Sequence, residues 1–134
     1  MNIYIAASWN NQHAVDMLTV RLRYLGHEVH SFVENNNYEY ERNVLFDEWV
    51  WSAEGKQSFE FDTSGCINSD LVIYVGPSGC DAWAEVGAAW AAGTTVFGLI
   101  SKGEQIGLMR RMVTWFRSVD KLIEAIGSQE TPRD

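Results

Sequence analysis

Two carboxylates and their spacing define the chemistry this chain can offer. Glu85 closes the stretch Asp70-Leu-Val-Ile-Tyr-Val-Gly-Pro-Ser-Gly-Cys-Asp-Ala-Trp-Ala-Glu85. Within it, Leu71 to Val75 is a short apolar run rich in β-branched residues, the pattern of a parallel strand buried on both faces. Gly76, Pro77 and Gly79 break the strand, and Asp81 reads as the N-cap of a helix that follows. Glu85 then falls in the first turns of that helix, where the positive end of the helix dipole favours an ionised carboxylate. Asp62 stands eight residues ahead of Asp70. If the intervening chain doubles back as a helix, Asp62 and Glu85 form a pair, one nucleophilic and the other acid/base or hydroxyl-binding. Cleavage of a glycosidic bond requires such a pair. One carboxylate captures an oxocarbenium-like carbon as an ester, while another group handles the proton on the leaving atom. Asp81 shares a helix face with Glu85 but has the simpler role of a cap, and Asp70 reads as a structural flank of the strand.

Two loops at the same sheet edge add neutral donors. The first offers Ser8, Trp9, Asn10 and Asn11 at a helix start, which suits an oxygen-rich or anionic ligand; helix capping explains the same residues. The second offers Ser78, Gly79 and Cys80, where glycine lets a ligand approach the backbone. The run Gly-Pro-Ser-Gly lacks the Gly-Lys-Ser/Thr ending of a phosphate-binding P-loop, and it is not G-x-G-x-x-G. Triphosphate and dinucleotide sites are therefore poorly supported.

These residues need a scaffold, and the hydrophobic pattern supplies one. Asn2 to Ala7 reads as a strand, and a helix follows to Leu25 with Val15, Leu18, Leu22 and Leu25 on its apolar face. Gly26 stops it, and His27 to Val33 reads as a second strand. Tyr38 to Ala53 reads as a helix ended by Gly55, with Val44, Leu45, Phe46, Trp49 and Val50 inward; Ser58 to Ser69 reads as a short helix. The aromatics Tyr38, Tyr40, Phe46, Trp49, Trp51, Phe59 and Phe61 are expected mostly in the core, with one or two available to a lid over a planar ligand. A helix from Asp81 to Gly93, a strand from Thr94 to Ile100, an edge strand over 112–116 and a helix over 118–126 complete the chain. The expected architecture is a single-domain, three-layer α/β sandwich on a mostly parallel sheet of about five strands, spanning 1–127, with a loose tail over 128–134.

Composition narrows the partners. A formal net charge of −8 argues against binding the backbone of a nucleic-acid polymer. The apolar runs are too short for a transmembrane helix, and no signal peptide is read at the N-terminus. Cys66 and Cys80 have no metal spacing and read as reduced thiols of a cytoplasmic protein; His13, His27 and His30 form no ligand set. No metal or cofactor is expected.

At these residues the chain resembles the nucleoside 2-deoxyribosyltransferase superfamily, which includes the deoxynucleoside 5′-monophosphate N-glycosidases. The resemblance rests on Ile3-Tyr4-Ile5-Ala6-Ala7-Ser8, on Asp62 ahead of Asn68-Ser-Asp70, on Ala84-Glu85-Val86-Gly87-Ala88-Ala89, and on the turn Ala92-Gly93-Thr94-Thr95-Val96. It spans Tyr4 to about Met109 and implies a flavodoxin/Rossmann-like fold acting on a nucleoside or nucleotide. By resemblance Glu85 is the nucleophile, Asp62 holds the sugar or assists protonation, and Tyr4 positions Glu85. Ser8, Trp9, Asn10, Ser78, Gly79 and Asp81 fall in the substrate-binding region. A homodimer or larger homo-oligomer is implied, with Ile106-Gly107-Leu108-Met109 approaching a partner's pocket. The chain departs from the pattern at Gly107, where transferases often place Asn, and at Gly79, where they place an acid. It also lacks an Arg in the first loop; Arg110 or Arg111 of a second copy is the available substitute. A nucleotide-binding module without turnover is the alternative reading.

Overall fold

The computed structural model describes residues 1–35 and 45–130. Five strands form one sheet: β1 (Asn2–Ala7), β2 (Glu28–Ser31), β3 (Leu71–Val75), β4 (Thr95–Leu99) and β5 (Thr114–Phe116). Their order is β2-β1-β3-β4-β5, and every neighbouring pair is parallel. The helices are α1 (Gln12–Tyr24), α2 (Phe32–Asn35), α3 (Phe46–Val50), α4 (Ala53–Asn68), α5 (Cys80–Ala91) and α6 (Val119–Glu130). The order of connections reverses between β1 and β3, and open α/β sheets place ligands beside such a switch point.

Alternation along the strands sends side chains to two different layers. Ile3, Ile5, Leu71, Ile73 and Phe97 pack with Val15, Leu18 and Leu22 of α1 and Leu122 and Ile126 of α6. Tyr4, Ala6, Val72, Tyr74 and Val96 pack with Cys66 of α4 and Ala82, Val86 and Ala89 of α5. The buried cluster on the first face is hydrocarbon and aromatic ring. The second carries two tyrosines with no solvent exposure, whose hydroxyls must find partners inside.

Local signals set the boundaries of these elements. Gly26 and Gly93 have φ of +98° and +83°, which a side chain would strain. Each ends a helix with paired backbone bonds: Gly26 N–H to Arg23 and His27 N–H to Leu22, and Gly93 N–H to Trp90 and Thr94 N–H to Ala89. Asp70 accepts from the Asn2 backbone N–H at 2.8 Å, the structural flank expected of it.

Several expected boundaries are corrected. β2 ends at Ser31 because Phe32–Asn35 turns into a short helix. The helix expected over 38–53 is described only as Phe46–Val50, since 36–44, including Tyr38, Tyr40 and Val44, lie outside the described residues. Gly55 does not end a helix but lies in the first turn of α4. Ser52 caps that turn, accepting from Gly55 N–H at 2.9 Å and donating to the Trp49 carbonyl at 2.8 Å. The turn at Trp51–Ser52 interrupts the helical face, so Leu45, Phe46 and Trp51 are exposed rather than core; Phe59 is exposed too. Leu25 is likewise exposed at the end of α1. α6 runs past the expected 126 to Glu130, and 131–134 lie outside the described residues.

Candidate active site

Tyr4 is the third residue of β1, buried on the face covered by α4 and α5. Its ring lies against α4 at Gly65, where a Cβ would stand 2.5 Å from the ring carbon Cδ2. Any larger residue there must displace the ring or the helix. Asp62 lies six residues before the end of α4, about 9 Å back along its axis. The helix thus carries Asp62 back over the sheet, and the Tyr4 hydroxyl donates to Asp62 Oδ1 at 3.0 Å.

Glu85 reaches the same hydroxyl from α5. Hydrogen bonding between the Tyr4 hydroxyl and the Glu85 side chain draws the Glu85 carboxyl downward, but this pull is outweighed. Burial first, then the negative charge of Asp62, push the Glu85 carboxyl up to about 8, with Asp81 adding to the rise. The ionised Glu85 expected from the helix dipole is therefore corrected. Glu85 lies in the second turn of α5, beyond the reach of the dipole, and desolvation dominates. Its Oε2 is buried without a hydrogen-bond partner. Burial and the two carboxylates push the Tyr4 phenol far above its ordinary range, so it stays a proton donor. Burial and the Glu85 charge push the nearby Cys66 thiol up to about 11, so it stays a thiol and is a poor nucleophile.

The other expected residues are placed as follows. Asp81 is not the N-cap: Gly79 is, with Asp81 exposed in the first turn, because α5 starts two residues earlier than a cap at the acid would place it. Ser8 does cap its turn, accepting from Asn10 N–H at 3.1 Å, and Trp9 packs edge-on against Phe32 with ring centres 4.9 Å apart. Asn11 reaches across from this loop and donates to the Pro77 carbonyl at 2.8 Å, tying the first loop to the turn after β3. Ser78 bonds to the Tyr74 hydroxyl at 3.0 Å. Met109 is exposed on a turn over Leu108–Met112, beside the exposed Ile106 and Leu108. Arg110 does not extend outward from that turn. It meets its own chain's Glu104 at 3.3 Å and lies 4.1 Å over the Trp83 ring. Trp83 is half-buried and Trp90 is exposed, so the two tryptophans do not share one environment.

The sequence reading missed Glu104, Tyr74 and Gly65. Glu104 lies in the polar segment between β4 and β5, yet its side chain is only 6% exposed. A signal was present for Tyr74: it is the one residue with a polar tip in a strand read as fully buried. Among the described residues, no cluster of His, Cys, Asp and Glu could hold a metal ion.

No protein-family model matches the sequence, and no match is found among curated proteins. Solved structures do match. A 2-deoxyribosyltransferase from Bacillus psychrosaccharolyticus aligns with a TM-score of 0.64 and 24% identity, covering 90% of this chain and 88% of that one. The chain shares the fold of this 2-deoxyribosyltransferase. A CMP N-glycosidase from Clostridium botulinum shares this fold at a TM-score of 0.62 and 16% identity, over 93% and 97% of the two chains. A conserved protein from Enterococcus faecalis shares it at 0.66 and 17%, over 95% and 97%.

Proposed function

We propose that this protein cleaves the N-glycosidic bond of a nucleoside or nucleoside 5′-monophosphate, with Glu85 as nucleophile. The observation that carries the reading is the convergence of Asp62 and Glu85 on the Tyr4 hydroxyl, between two helices and beside the sheet's switch point. The fold, shared with a CMP N-glycosidase and a 2-deoxyribosyltransferase, supports it. In this reading ionised Glu85 attacks the anomeric carbon as the bond to the base breaks, and a proton reaches the departing base nitrogen. Asp62 holds a sugar hydroxyl or delivers that proton. Water, or the nitrogen of a second base, then attacks the same carbon and frees Glu85. Ser8, Trp9 and Asn10 in the first loop, with Ser78, Gly79 and Asp81 in the second, form the proposed sugar and 5′-end contacts. Exposed Ile106, Leu108 and Met109 support a homo-oligomer in which this loop meets a second copy.

Free base is measured by chromatography after incubation with ribo- and deoxynucleosides and their 5′-monophosphates, beside Glu85→Ala. Release that is lost in the variant is the expected result. Thermal stabilisation by these compounds with no base released would overturn the reading and assign a binding module.

A further inference from the structure

Tyr74 sits on β3, the strand beside Tyr4's, and faces the same layer. Its hydroxyl donates to Glu104 Oε1 at 2.5 Å and accepts from Ser78 Oγ and from Trp83 Nε1, each at 3.0 Å. One donor and two lone pairs are thereby all used. The partners come from three places: the turn after β3, the helix α5, and the segment after β4. Glu104 is itself pinned. Its Oε2 takes Arg110, and its Oε1 lies so close to the turn that a Cβ on Gly76 would come within 2.2 Å of it. Ser101 adds a bond of 2.7 Å to the Gly76 carbonyl.

This cluster grips α5 at its start. Ser78 directly precedes the N-cap, and Trp83 stands two residues before Glu85 on the same helix. A helix held at Trp83 on one side and packed on the sheet at Ala82, Val86 and Ala89 has little freedom to slide or turn.

We propose that the Tyr74 hydroxyl, clamped by Glu104, positions Glu85 by fixing the first turns of α5, which makes Tyr74 and Glu104 positioning residues for the site. The inference rests on Glu85 being the reacting carboxylate. Its test therefore has a readout independent of turnover: the titration of Glu85, followed by NMR of protein carrying 13C-labelled glutamate and assigned with Glu85→Gln. In Tyr74→Phe and Glu104→Ala the Glu85 midpoint moves toward the ordinary carboxylate range, as α5 loosens and water reaches the group. With the best substrate found in the base-release assay, kcat falls about tenfold, the order expected for a small misplacement of a reacting group, and KM stays within twofold. Glu104→Gln keeps an oxygen that accepts the Tyr74 proton and restores both quantities to near the parent. If Tyr74→Phe does not fold, Trp83→Phe removes the donor that α5 itself gives to the Tyr74 hydroxyl instead. A folded variant in which Glu85 titrates as in the parent overturns the proposal, whatever its kcat. A moved midpoint with parental kcat overturns it as well. If the midpoint moves but the parent releases no base from any compound, the clamp stands and the glycosidic reading falls.

Discussion

The midpoint of Glu85 near 8 gives the candidate site a definite pH signature. A nucleophilic carboxylate must be ionised, so kcat/KM for base release should rise with pH through about 8. Tyr4→Phe removes the donor that draws Glu85 down, and this limb should move to higher pH. Asp62→Asn removes a negative neighbour, and the limb should move lower while kcat drops by about 100-fold. A pH–rate profile of the three proteins checks both directions. Stability follows the same group with its own sign. Glu85 holds its proton more tightly in the folded chain than in the unfolded one. Its contribution is thus fully present below the ordinary carboxylate range and lost as pH rises toward and through 8. Glu85→Gln should therefore melt at a higher temperature than the parent at pH 9, and the gap should close toward pH 5. Thermal melts across that range read it directly. At this scale the sequence was informative about identity but not environment. Glu85 and Asp62 stood out by type and spacing, whereas the direction of the Glu85 shift depends on burial and on a neighbour 23 residues away in the chain.

Among the elements, α4 brings the site together, and Gly65 is the residue that lets it lie on Tyr4. Gly65→Ala places a methyl 2.5 Å from the ring, a clash that costs about 1–3 kcal/mol of stability and should displace the Tyr4 hydroxyl from Asp62. Chemical denaturation gives the first effect, and loss of base release beyond the loss of folded protein gives the second. α4 was also the element read least well. Its N-cap, Ser52, was present in the sequence, but Gly55 three residues later looked like a stop. The glycine instead admits the Trp49 carbonyl, 2.1 Å from where its Cβ would be. Strands β1 and β3 and helix α1 were legible because their apolar period is undisturbed and their end is marked by turn residues. The clamp on α5 was not legible, since it joins Tyr74 to Glu104, thirty residues apart, with no local pattern.

For the whole molecule, the βαβ order alone was enough to expect a parallel sandwich, and the sheet has that form throughout the described residues. Ile106 is fully exposed and Leu108 nearly so. Leu108→Glu should shift the sedimentation coefficient toward that of a monomer at micromolar concentration; a parent already monomeric there removes the proposed homo-oligomer.

The two faces of the sheet differ in kind. One is hydrocarbon and ring packed by α1 and α6, and the other holds the tyrosines, the thiol and the carboxylates beneath α4 and α5. Both faces share the backbone of β1 and β3, strands that are paired on both sides and carry core side chains into both layers. Amide hydrogen exchange should therefore be slowest in β1 and β3, opening only with global unfolding, while the α4 and α5 amides exchange through smaller, local openings. Substitutions in α4 and α5 that spare Gly65, the Tyr74 clamp and the buried Ala82, Val86 and Ala89 should therefore alter the site before they alter the fold.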